Sequence, residues 1–155
     1  MKIEKILLAS HGTIGARAAE KASLEIAKIN NSSIDHLIVI PDFWKGMMGD
    51  DWLNNAITQY RFGNYVENQL LNDVFNEISR FKKNVKLYNI EYTYHIKLGK
   101  PTHCLINAIQ KNKYNLVIIG SPRPKGIAGY NSHINLNTLT KELTTKLMII
   151  PFPKK

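Results

Sequence analysis

The sequence is short of cysteine, of acid and of long apolar runs, and each shortage removes a class of protein. Cys104 is the single cysteine. That excludes an intrachain disulfide and a multi-cysteine zinc site, and its helical setting marks it as a buried packing residue rather than a reactive thiol. Apolar runs such as Leu37-Ile38-Val39-Ile40 are four residues long, whereas a bilayer-spanning helix needs roughly 20. Met1-Lys-Ile-Glu-Lys enters a strand without the apolar core and cleavage site of a signal peptide, so a cytoplasmic protein with no membrane contact is expected. Acid is scarce overall, 12 residues against 21 basic ones for a formal charge of +9. It is absent between Glu91 and Glu142, a stretch that holds Lys97, Lys100, Lys111, Lys113, Arg123, Lys125 and Lys141. That half carries either a solvated lysine-rich surface or an attraction for a phosphate-bearing ligand or partner. Nucleic-acid binding is not expected, because between Lys97 and Lys125 the only aromatic residue interleaved with the basic ones is Tyr114. The sequence also lacks a Ser/His/Asp set, paired carboxylates, a P-loop lysine motif and a metal-ligand cluster, so an enzyme is not expected.

What is present is a regular alternation of strand and helix patterns. Ile6-Leu7-Leu8-Ala9 lies within a strand from Ile3 to Ser10, and a continuous apolar run of this kind belongs at the centre of a sheet. Thr13 can cap the following helix, whose apolar stripe is Ala19, Ala22, Ile26 and Ile29 and which ends at Asn30-Asn31-Ser32-Ser33. Ile34 to Ile40 is a second strand, apolar along its length and closed by Pro41. An irregular stretch from Asp42 to Asn55 crowds Phe43, Trp44, Met47, Met48 and Trp52 together, so it covers a cleft or meets another chain. A long helix from about Asn64 to Phe81 shows Val66, Leu70, Val74, Ile78 and Phe81 on one face, and Gly63 separates it from a helical piece with Ala56, Ile57 and Tyr60.

Tyr88, Ile90, Tyr92, Tyr94 and Ile96 then alternate with Asn89, Glu91, Thr93, His95 and Lys97. Period two buries one face and wets the other, which predicts an edge strand. Gly99-Lys100-Pro101-Thr102 turns into a short helix carrying Leu105, Ala108 and Ile109 and ending near Asn112; Leu116 to Ile119 and Leu147 to Ile150 are the fourth and fifth strands. The alternation calls for a three-layer α/β/α architecture around a mostly parallel sheet. Within it, the loop Gly120 to Gly129 leaves the carboxyl end of the fourth strand and feeds a helix, the place where such sheets hold ligands.

The ordered set Ile6-Leu-Leu-Ala-Ser-His11-Gly12-Thr13, Gly99-Lys-Pro101, Leu116-Val-Ile-Ile-Gly120-Ser121 and Leu147-Met-Ile-Ile-Pro151 resembles the universal stress protein family over the whole of residues 1–155, read as a single domain. The resemblance implies an adenine nucleotide alpha hydrolase-like fold, a five-stranded parallel sheet in the order 3-2-1-4-5, and a homodimer formed through the last strand, Leu147 to Ile150. The family's ATP-binding branch carries Gly-x2-Gly-x9-Gly-Ser/Thr after the fourth strand and an aspartate after the first. Here Gly120 supplies the first glycine, but Arg123 stands at the second, His133-Ile134 at the Gly-Ser/Thr pair and His11 at the aspartate. Longer side chains at those positions fill the space that phosphate oxygens would occupy.

The positions that would touch a cofactor are Ala9, His11, Val39, Ile119, Gly120, Arg123, Lys125, Gly126, Gly129, His133 and Ile134. With three of the markers changed, no cofactor is expected. The expected function is that of a non-catalytic stress-response or regulatory protein acting through homodimerisation and protein partners, with Phe43 to Trp52 as a second contact surface. The alternative is a sensor of ATP, AMP or another phosphate ligand, in which Arg123 and Lys125 replace the backbone cradle by charge. His11 and His133 both belong at the carboxyl end of the sheet, but a metal site needs a third ligand and none is evident. His36, His95 and His103 read as surface or packing residues.

Overall fold

The computed structural model describes residues 2–10, 14–40, 56–98, 100–121 and 135–151. Along them run β1 (Lys5–Ser10), α1 (Ile14–Asn30), β2 (Ser33–Ile40), α2 (Ala56–Leu87), β3 (Tyr92–Leu98), α3 (Pro101–Lys111), β4 (Leu116–Gly120), α4 (Leu136–Glu142) and β5 (Lys146–Ile150). The strands form one all-parallel sheet in the order β3-β2-β1-β4-β5. The strands with continuous apolar runs, β1 and β4, are central, and the alternating one, β3, is at an edge.

Two helices cover each face. On one side Ile6 and Leu8 of β1 and Leu116 and Ile118 of β4 pack against Ala19 and Ala27 of α1 and Phe81 and Val85 of α2. Farther out, Tyr92, Tyr94 and Ile96 of β3 lie under Val74 and Ile78 of α2. On the other side Leu7, Ala9, Leu37, Val39, Val117 and Ile119 pack against Leu105 and Ile109 of α3 and Leu139 of α4. This is the three-layer architecture.

Both long helices end in the same way. Asn31 and Asn89 take left-handed backbone, with φ of 55° and 53°. In each case the amide two residues past the cap returns to the last turn, Ser32 N–H to the Ala27 carbonyl at 3.0 Å and Ile90 N–H to the Val85 carbonyl at 3.0 Å. This is the Schellman arrangement, and asparagine tolerates the left-handed residue it requires.

Four details differ from the sequence reading. Gly63 does not interrupt α2, which is one helix of 32 residues continuing to Leu87; a glycine costs a helix only about 1 kcal/mol, less than the packing of the helix on β2 and β3 returns. The buried stripe of α1 is Ala16, Ala19, Glu20, Ser23 and Ala27, while Ile29 is 82% exposed. At 100° per residue that face lies about a quarter turn from the expected one. Small side chains let α1 sit close to β1 and β4, and the larger isoleucines are left at the flank. β3 starts at Tyr92, because the turn at Asn89 consumes the residues before it. Finally, β2 is not apolar along its length: Asp35 and His36 are buried at 7% and 1% exposure.

Candidate functional site

Parallel strands bring their carboxyl ends to one edge of the sheet. The chain steps outward from β1 to β2 and β3 and then crosses back to β4 and β5. A crevice therefore lies between the ends of β1 and β4, the position at which open α/β sheets hold ligands. Ala9 and Ile119 are register partners across it, with Leu37 opposite Ala9 on the other side. Ala9, Val39 and Ile119 are buried in the core on the α3 and α4 side, so they make an apolar floor that offers a ligand no side-chain polar atom. Gly120 is half-buried at its rim, and the next amide, Ser121 N–H, is already used by the Ile150 carbonyl at 2.8 Å. Of the other expected positions, His11, Arg123, Lys125, Gly126, Gly129, His133 and Ile134 lie outside the described residues, as do Thr13 and the Phe43 to Trp52 stretch.

Two buried polar groups were not singled out in the sequence, and both begin at the Asp35-His36 pair. On the α2 side, His36 Nε2 is hydrogen-bonded to Ser10 Oγ, and its Nδ1 to the Tyr92 hydroxyl at 2.7 Å. Hydroxyl, imidazole and phenol in that order have the connectivity of an activated nucleophile. The imidazole, however, packs edge-on against Phe81 with ring centres 5.4 Å apart. Burial, and after it the charge of Arg80, pushes His36 down to about 3. An imidazole so reluctant to take a proton is a feeble base, and the chain of hydrogen bonds acts as a structural connector between β1, β2 and β3.

On the opposite face Asp35 accepts from Thr93 Oγ1 and from the Tyr114 hydroxyl, the latter at 2.5 Å, with His95 Nε2 3.6 Å away. Burial acts to raise the Asp35 carboxyl, but the hydrogen bonds from Thr93 and Tyr114 and the charges of His95 and Lys5 outweigh it, and its pKa is lowered. Above this carboxylate is a cavity of about 320 Å³ between α3 and the outer face of β3. Its apolar lining is Leu7, Leu37, Cys104, Ala108 and Tyr114, and its polar lining is His95, Lys97, Asn107, Lys111 and Asn112. Cys104, expected to be buried, is only half-buried there. His95 and His103 are exposed. The sequence signal for both groups was the Asp35-His36 pair inside an otherwise apolar strand. Among the described residues no cluster of three His, Cys, Asp or Glu could hold a metal ion, and no helix is long and apolar enough to cross a membrane.

A parallel 3-2-1-4-5 sheet between two helical layers, with its crevice between β1 and β4, defines an open, doubly wound α/β fold. A scan against protein-family models finds no match, and no curated protein matches the sequence. Solved structures do match. Hypothetical protein MJ0577 is 16% identical with a TM-score of 0.76, covering 100% of both chains. Universal stress protein UspA from Lactobacillus plantarum is 13% identical with a TM-score of 0.67, over 97% of this chain and 99% of its own. A universal stress protein in complex with cAMP is 13% identical with a TM-score of 0.62, over 99% and 100%. The chain has the universal stress protein fold.

Proposed function

We propose that the chain is a universal stress protein-type regulator of the cytoplasm, a single domain that acts without catalysis, through homodimerisation and protein partners, its nucleotide cleft altered. The observation that carries this reading is β5. Among the described residues it is an edge strand paired only with β4, and Met148 and Ile149 are 36% and 39% exposed. A bare apolar edge invites pairing with another strand, and a second copy of the same strand satisfies it symmetrically. The crevice floor of Ala9, Val39 and Ile119, together with Arg123, His133 and His11 in place of two glycines and an aspartate, supports the altered cleft. Phe43 to Trp52 supplies the aromatic content of a partner contact. Sedimentation velocity tests the reading: a dimer at micromolar concentration, converted to a folded monomer by Ile149→Asp. A monomeric native chain would remove it.

A second reading, a nucleotide or anion sensor, is favoured by the cAMP-bound neighbour of the same fold. Calorimetric titration with Mg-ATP, AMP and cAMP separates the two. Saturable binding that Arg123→Ala and Lys125→Ala abolish would put the sensor first, and silence would leave the dimer reading standing.

A further inference from the structure

We propose that the groove between α3 and the outer face of β3 is a binding site for a small organic anion, a molecule with one phosphate or carboxylate group on a flat apolar body. At one end the groove meets the crevice, where Lys97 is the register partner of Val39, but the body of the groove lies apart from it. Leu7 in its floor lies upstream of Ala9 on β1, and Lys111, Asn112 and Tyr114 on its rim precede the start of β4. Its volume of about 320 Å³ is at the lower end of the range for small-molecule sites.

The charge selects the ligand. Lys97 projects from β3 and Lys111 from α3, on two sides of one cavity, and among the described residues neither forms an ion pair. The stretch that supplies both, between Glu91 and Glu142, holds no acidic residue. Asp35, reached through Tyr114 of the lining, is buried at 7% exposure and already engaged by Thr93 and Tyr114, with His95 3.6 Å away. Two ammonium groups with no ion-pair partner among the described residues, on a partly enclosed groove, raise the local concentration of anions. His95 and the side-chain amides of Asn107 and Asn112 add hydrogen-bond donors on the same walls.

The floor selects the rest of the molecule. Leu37 and Tyr114 are buried and close the floor, and the half-buried Cys104 and Ala108 present the apolar surface against which a ring can lie while its anionic group faces the lysines. A free inorganic ion would leave that surface wet. The groove is thus amphipathic in the sense a substituted aromatic or heterocyclic anion requires.

The test uses the full chain, with amide chemical shifts followed during titration with phenyl phosphate and with phenylacetate, and with inorganic phosphate and benzyl alcohol as controls. The expected result is saturable shifts at Leu37, His95, Asn107 and Tyr114 for at least one of the two anions, larger than for either control. The stronger of the two arms identifies phosphate or carboxylate as the preferred group. Alkylation of Cys104 by N-ethylmaleimide should slow as the groove fills. Lys97→Gln with Lys111→Gln should weaken binding by about tenfold or more, a loss of about 1.4 kcal/mol, with an unchanged melting temperature. Shifts equal to those of inorganic phosphate alone, shifts centred on Ala9 and Gly120 instead, or binding that survives the double substitution would each overturn the proposal.

Discussion

Replacing His36 should remove a pH dependence of stability that the native chain must show. In the folded chain the imidazole is sealed between Ser10, Tyr92 and Phe81 and held down to about 3, against 6.5 when free. Between those values the unfolded chain takes up a proton that the folded chain refuses. The stability that the neutral, hydrogen-bonded imidazole contributes is therefore complete above 6.5 and is lost as pH falls toward 3. Linkage between the two values gives a loss of about 2 kcal/mol on going from pH of about 7.5 to about 5, the scale being about 1.4 kcal/mol per unit. For a chain of this length that lowers the melting temperature by about 4 to 8 °C.

Other groups titrate in the same experiment. Burial raises Glu20 despite its bond to Arg80, so its contribution has the opposite sign: it is present below the free value and lost as pH rises. The comparison must therefore be made against His36→Gln, in which Glu20 and Asp35 are unchanged. Thermal unfolding of both proteins at the two pH values gives the difference. The variant should be less stable at neutral pH but lose about 2 kcal/mol less on acidification. An equal loss in both would show that the imidazole is not sealed in the folded state, and the argument for a structural Ser10–His36–Tyr92 connection would fall with it.

The remaining predictions concern three other features. Glu20 is 2% exposed and meets Arg80 at 2.5 Å, with its Oε1 unpartnered among the described residues; Arg80→Met should cost about 2 to 3 kcal/mol, below the usual range for breaking a buried pair because the arginine is partly exposed, and adding Glu20→Met should restore most of it in chemical denaturation. Because α2 runs through position 63 as a helix, Gly63→Ala should raise stability by about 0.5 to 1 kcal/mol, and a drop in melting temperature would show a conformation only glycine can take. Tyr114→Phe removes a donor from buried Asp35 and should cost about 1 to 2 kcal/mol. In that variant the Asp35 carboxyl should also titrate at a higher pH, so its stabilising charge is lost earlier as pH falls, which carboxyl-carbon NMR would detect.

The sheet was legible because its strands differ in pattern for a physical reason. β1 and β4 have helices on both faces and so carry the unbroken apolar runs Ile6 to Ala9 and Leu116 to Ile119, whereas β3 packs under α2 on one face and alternates. The rotation of α1 was not legible, since reading the larger apolar residues as the buried ones misses a helix that packs closely through alanine and serine. Nor could the sequence show that Asp35 and His36 are buried: their partners come from register and distance, Thr93 directly across β2 and β3, and Tyr114 79 residues away. At the strand ends, Ala9, Val39, Ile119 and Gly120 could be placed by topology alone. The side chains of Arg123, Lys125 and His133 depend on loop geometry, which hydrophobic period does not encode.

The groove and the crevice have different chemistry because the two faces of the sheet are covered unequally. α1 and α2 run for 17 and 32 residues, long enough to bury β3 along with the central strands. α3 and α4 run for 11 and 7, and the core beneath them draws its strand residues from β1, β2 and β4 without β3. The outer face of β3 keeps Thr93, His95 and Lys97 exposed among the described residues, and the ledge beside α3 is a cavity with a charged wall. The crevice floor is wholly side-chain apolar. An adenine nucleotide held at the crevice should therefore perturb Gly120 and Ser121 and leave Lys111 and Asn112 untouched, while an organic anion in the groove should do the reverse. Ligands that moved both sets of residues in proportion would mean that the two places are one site.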